Sequence, residues 1–480
     1  MMMRDLRMAV AAVCAGITLT AWAATEPPQI PPGISPNDPL VVSVKEAQAE
    51  VDRLKQGPIM QQLEKIGQQR MAAETEHRRL VQPLDTQSQP LWESREGQVY
   101  EAAINKLSTA QNSLHDRAHD RLEERSTAIY TARHDELKQL AGKDCPAARA
   151  LKMDVLNYPR VDGSTSTRPL ATILCARIFN VPYAWVYARS YGRFTPRDQM
   201  PLFLQLQRMP GRGGRDPHDA ELTLAELYPQ ARIEGDADGR LVAIINDLLV
   251  RNAGTHAAYV NLIQRQSDLT LLARKPSTDE LATAKAAGVE LETTPIAWDA
   301  LVFIVNQKNP VKNLSREQIR RIYTEKTASW SEVGGADAKL VSFRRERNSG
   351  SQELLEELIF GGTPLPDVPA NETRRPPLIV NGMVGPYSEL TRNENGIAFS
   401  VYYYEHFMAA SPYTRVLSID GVEPSAATIA SGKYPLRAPV YAVYRKGEPT
   451  DGKPMQLLHW LQSDEGQGVV RESGYVPVKP

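Results

Sequence analysis

Two rhythms of apolar positions divide the chain. From Val41 to about Gly142 the apolar residues form thin stripes at helical spacing, such as Val44, Ala47, Val51 and Leu54, or Ala103, Leu107, Ala110 and Leu114. The pattern predicts long helices, interrupted near Gly57-Pro58 and between Pro83 and Pro90. Stripes this narrow suit a helical hairpin or a coiled coil better than a globular core. From about Tyr158 short apolar runs alternate with helical ones, the pattern of an α/β domain. Helices are predicted at 170–179, 241–250, 259–263, 279–287, 315–323, 455–461 and 466–472, and strands at 267–272, 296–306, 396–404 and 434–445. Residues 181–235, with the flexible stretch PGRGGRDP at 210–217, read as an excursion from this domain.

Within the second rhythm one stretch concentrates the candidate chemistry. In SFRRERNSGSQELLEELI, residues 342–359, Leu354, Leu355, Leu358 and Ile359 recur at helical spacing, so Ser349, Gly350 and Ser351 open a helix. Such an end offers unpaired N–H groups and the positive pole of the helix dipole, a ready anion site. Arg345 adds a planar cationic fork matching two oxygens of an oxyanion. A plain serine cap beside a surface arginine is the alternative. Two further turns rich in glycine and hydroxyl residues also open helices: residues 162–169, with Thr165 and Ser166 ahead of Pro169, and residues 253–256, with Thr255. Tyr402, Tyr403 and Tyr404 either face a cleft or alternate across a half-buried strand.

Composition narrows the classes. A formal net charge of −1 over 480 residues gives no global field for nucleic acid, so an anion has to be bound locally. Arg4 and Arg7, an apolar run to Leu19 and the motif Ala21-Trp22-Ala23 read as a cleaved secretory signal over residues 1–23, which makes the expected location periplasmic. Cys145 and Cys175 then remain, compatible with one disulfide or with two separate buried thiols. His115 and His119 lie one helical turn apart, but Asp116, Arg117 and Asp120 favour a solvated charged face over a metal site. No metal-ligand spacing or nucleophile elbow is present, and His256 beside Thr255 reads as a turn histidine, so neither an enzyme nor a cofactor is expected.

The order of the pieces is recognisable. GSTSTRPL at 163–170, GTHAAYVNLI at 254–263, KAAGVELETTPIAWDALVFIVN at 285–306, NLSREQIRRIYTEKTASWSEVGG at 313–335, RRERNSGSQ at 344–352, NGIAFSVYYY at 395–404 and SGKYP at 431–435 together resemble the phosphate-binding proteins that serve ABC transporters. These are two-lobed periplasmic binding proteins, and the resemblance runs from about Tyr158 to Pro480. It implies a two-lobed α/β fold with two hinge strands, preceded here by an α-helical region at 24–150. Lobe one would be residues 155–296 plus 440–480, and lobe two residues 297–439. It further implies that Thr165, Ser166, Thr255, Arg345, Ser349, Gly350 and Ser351 bind inorganic phosphate or a similar oxyanion, delivered to an ABC transporter permease.

One departure bears on the ligand. Where the family has an aspartate that accepts a hydrogen bond from protonated phosphate, and so rejects sulfate, the matching stretch Leu272-Ala273-Arg274-Lys275-Pro276 puts Arg274. Arginine has donors and no acceptor. Either Arg274 is an extra anion ligand in the cleft, or it turns to solvent and other acceptors select the ligand. An alternative of a different class is an anion-responsive scaffold or sensor whose residues 41–142 self-associate or engage a partner.

Overall fold

The computed structural model describes residues 34–76, 81–140, 144–180, 183–187, 202–206, 249–366, 378–409 and 411–479. The leader expected at residues 1–23, PGRGGRDP and nearly all of the helix expected at 241–250 lie outside the described residues. The chain divides into two compact units, Met1–Ser126 and Thr127–Pro480.

The first unit is helical. Asp38 caps Pro39–Leu54 by accepting a hydrogen bond from the Leu40 N–H at 3.0 Å. The stripe Val41, Val44, Ala47 and Val51 packs with Met60 and Leu63 and with Tyr100, Ala103, Ile104, Leu107, Ala110 and Leu114, so thin stripes from several helices pool into one apolar cluster. The break at Gly57-Pro58 is present, and the next helix starts at Pro58. Between Pro83 and Pro90, however, the chain is one helix, Val81–Glu93. Pro83 lies in its first turn, where a missing N–H costs nothing, and the helix ends soon after Pro90. The helix Arg95–Gln139 carries its last residues into the second unit. There Leu137 joins the main core and Glu136 pairs with His406 at 2.8 Å.

The second unit is α/β. Its spine is the strand Leu291–Asn306, five residues longer at its start than the apolar pattern indicates, because Glu292, Thr293 and Thr294 are paired in the sheet. Up to Ala300 this strand is antiparallel to Arg437–Arg445, and from Leu301 to Val305 it is antiparallel to Gly396–Val401. Leu269–Leu272 continues the sheet beyond Arg437–Arg445, with Val161–Gly163 parallel to it. On the other side Val341–Arg345 runs parallel to Gly396–Val401 and to Leu378–Val380. In the excursion, Tyr183–Tyr187 and Leu202–Leu206 form an antiparallel pair.

Strand Gly396–Val401 ends before the tyrosines, which are buried in the core. Tyr403 stacks on Tyr475 with ring centroids 3.9 Å apart and donates its hydroxyl hydrogen to the Ser473 carbonyl at 2.7 Å. None of the three lines the cavity described below, so the cleft-facing alternative does not describe them. Cys145 and Cys175 are both buried thiols, not a disulfide. Burial pushes Cys175 up to about 12.

Candidate functional site

Three turns open helices, two of them directly after a strand. Val161–Gly163 runs into Ser164 and the short turn Thr165–Thr167, which leads to the helix Arg168–Ile178 with Pro169 in its first turn. Gly163 has no room for a side chain, since a Cβ would lie 2.6 Å from both the Leu271 carbonyl oxygen and Thr167 Oγ1. The second turn needs a glycine for a different reason: Gly254 has φ +87° and opens the helix Thr255–Ile263. Buried Asp162 braces both turns, accepting hydrogen bonds from the Gly163 N–H at 2.8 Å, the Ala253 N–H at 3.0 Å and Asn261 Nδ2 at 2.7 Å. In the third, Val341–Arg345 leads to Ser349, whose hydroxyl accepts from the Gln352 N–H at 3.2 Å and caps the helix Gly350–Phe360.

These turns meet around one cavity of about 360 Å³. Thr165, Ser166 and Thr255 line it from one side, and Arg345, Ser349, Gly350 and Ser351 from the other. Ser164, missed as a site residue although it lies in the same loop, also lines it, with its Oγ 3.0 Å from Thr255 Oγ1. The two sides approach closely: a Cβ on Gly350 would sit 2.8 Å from Thr255 Oγ1. First-turn N–H groups that no intrahelical carbonyl can reach therefore gather at one place, each helix end carrying roughly half a positive charge.

Charge at the cavity is balanced by pairs. Arg345 is 5% exposed, with Nε 3.0 Å and Nη2 2.8 Å from the two oxygens of Glu346. Its Nη1 faces Ser351 Oγ at 3.4 Å. Glu346, also missed by sequence reasoning, lines the cavity; burial works against its charge, but the Arg345 guanidinium outweighs that and holds the carboxyl below its ordinary range. It was visible only as the residue beside Arg345.

Neither role foreseen for Arg274 matches its placement. It is not part of the cavity lining, and at 2% exposure it does not face solvent. Its Nη1 and Nη2 make a bidentate pair with Glu280 Oε2 and Oε1 at 2.7 and 2.8 Å. The reason is local: Glu280, fixed by the cap of the helix Thr278–Ala286, offers a buried carboxylate within reach, and a buried guanidinium goes to its counter-ion. His115 is exposed, the His119 side chain lies outside the described residues, and no metal-binding cluster occurs among the described residues.

Part of the chain is similar to known proteins. Residues 229–465 match the PBP superfamily domain. The phosphate-binding protein PstS of Bacillus subtilis is 31% identical over 185 residues, covering 38% of this chain and 56% of that protein. PstS of a Staphylococcus epidermidis strain is 26% identical over 231 residues, covering 47% of this chain and 68% of that protein. The chain thus spans little more than half the length of the first of these relatives. An ABC-type phosphate transport receptor from Vibrio cholerae superposes with a TM-score of 0.42 at 19% identity, covering 66% of this chain and 98% of that one. The sequence matches, rather than that superposition, carry the likeness: residues 229–465 match the PBP superfamily domain, and part of the chain is similar to phosphate-binding proteins named PstS.

Proposed function

We propose that this protein binds inorganic phosphate, or a closely similar tetrahedral oxyanion, outside the cytoplasmic membrane and delivers it to an ABC transporter permease. The observation that carries the reading is the convergence of three helix-opening turns and Arg345 on one cavity. Residues 155–296 plus 440–480 would act as one lobe and 297–439 as the other, closing over the anion by a hinge. A desolvated anion is costly unless its hydration is replaced. Helix N-termini, hydroxyls and one arginine replace it here, so a near-neutral chain is no obstacle. Export through the leader at residues 1–23 is part of the same reading.

The site in this reading binds and does not catalyse. The Thr255 hydroxyl is engaged with Ser164, and His256 Nδ1 lies 2.9 Å from Glu280 Oε1, so the two are not set as nucleophile and base. Glu346 supplies the selectivity that Arg274 cannot. It is the one carboxylate lining the cavity among the described residues, and it can accept a hydrogen bond from a protonated oxyanion while repelling sulfate. Calorimetry on protein stripped of ligand tests both statements. One phosphate per monomer is expected, with arsenate competing and sulfate much weaker; Glu346→Gln should narrow the phosphate-to-sulfate ratio by about tenfold or more. No heat with any of these anions would sink the reading, and an unchanged ratio in the variant would remove Glu346 from it.

A second reading, a scaffold or sensor, is favoured by the separate apolar cluster of the helical unit. Sedimentation and transport assays on a chain lacking residues 34–126 separate the two. Loss of an oligomer supports a scaffold, whereas an unchanged mass and unchanged uptake argue against it.

A further inference from the structure

We infer that Arg274 and Asn348 form a clasp across the cavity that positions the turn of Ser349, Gly350 and Ser351 for binding, an inference that rests on the anion-binding reading above. Arg274 is held as a fixed post. Glu280, which is 0% exposed, takes both of its terminal nitrogens, and the Ser277 N–H donates to the same carboxylate at 2.8 Å. The guanidinium lies over the Tyr259 ring, 5.3 Å from its centroid, and the Tyr259 hydroxyl donates to the Arg274 carbonyl at 2.8 Å. Nothing in this set can swing without breaking several contacts.

From that post Arg274 Nη2 donates to the Asn348 carbonyl at 3.2 Å. The side chain of Asn348 makes a second bond in the opposite sense, its Nδ2 donating to Asp279 Oδ2 at 2.7 Å. Arg274 and Asp279 follow the strand Leu269–Leu272, while Asn348 follows Val341–Arg345, so both bonds join opposite sides of the cavity. Asn348 immediately precedes the cap residue Ser349 and has φ +65°, a conformation asparagine tolerates better than most residues. Its backbone is therefore aimed by the clasp, and the direction of the following N–H groups with it. The arginine that is absent from the cavity acts on it through one carbonyl, as a positioning residue rather than a ligand.

Asn348→Gly is the first test, because glycine keeps the left-handed backbone and the carbonyl acceptor while losing the side chain and with it the Nδ2 bond to Asp279. Phosphate should bind about three- to tenfold more weakly, with the loss in the dissociation rate, and a spin-label pair across the cavity should report a wider separation in ligand-free protein. Asp279→Ala should behave alike, and the double variant should lose no more than one single variant, since both remove the same bond. Additive losses, or an unchanged affinity and separation, would overturn the clasp. If the parent protein binds no phosphate at all, the binding reading fails, and the ligand-free separation in Asn348→Gly still decides the clasp on its own.

Discussion

Arg345→Ala is expected to weaken phosphate binding by about a hundred- to a thousandfold, or about 3–4 kcal/mol, in calorimetry on stripped protein. Two effects add. The substitution removes a guanidinium that lines the cavity and is held there by both oxygens of Glu346, on a backbone whose N–H donates to Gln352 Oε1 at 3.2 Å. It also leaves Glu346 without its counter-ion inside an anion site, so the remaining carboxylate repels the ligand. The double variant Arg345→Ala with Glu346→Gln should therefore recover part of the loss. Arg345→Lys keeps the charge but not the fork, and should fall between. Near-normal affinity in Arg345→Ala would mean that the anion is bound elsewhere.

Asp299→Asn is expected to flatten the pH dependence of stability. Asp299 lies in the strand Leu291–Asn306 and is buried; its Oδ1 accepts from the Ala300 N–H at 2.8 Å and the Tyr403 N–H at 3.0 Å, while Oδ2 has no hydrogen-bond partner. Burial pushes the carboxyl up from 3.8 to about 7, against the two backbone donors, which favour the charged form. Below about pH 4 the group is protonated in folded and unfolded chains alike and contributes nothing. Between about pH 4 and 7 the folded chain keeps a proton that the unfolded chain has released, so stability falls as pH rises, and above about 7 the penalty is complete. At about 1.4 kcal/mol per pKa unit the whole effect is roughly 4 kcal/mol. Urea midpoints should show the asparagine variant close to the parent near pH 4 and clearly more stable near pH 8. Glu405, also pushed to about 7 by burial, leaves a residual slope of the same sign in both proteins. Parallel profiles for the two proteins would refute the assignment to Asp299.

What could be read in advance depended on how local the physics is. The helix after Ser349 was legible because a cap and an apolar stripe lie within one short stretch, and the helix expected at 315–323 is likewise opened locally, by the capping box of Ser315 and Gln318. The start of the strand Leu291–Asn306 was not, since its polar residues are held by a partner strand more than 130 residues away, not by an apolar face. Arg274 shows the same limit at the site. Its residue type excluded an acceptor, but its role depends on Glu280 and on a carbonyl 74 residues later, and no spacing rule connects those. The continuity of Val81–Glu93 through Pro90 is a smaller case, where tolerance of a proline could not be told from a break.

The strand Leu291–Asn306 changes partner between Ala300 and Leu301 without interrupting its own backbone. A joint made in this way behaves as a leaf spring rather than a pivot. Moving one flank against the other flexes a ladder whose hydrogen bonds stay formed, and the irregular register between Val440 and Tyr441 is where the neighbouring strand has slack to follow. In the proposed binding cycle such flexure would store energy and return it, giving the cavity a preferred aperture to which it would recoil when the anion leaves, with a stiffness set by strand residues outside the cavity lining.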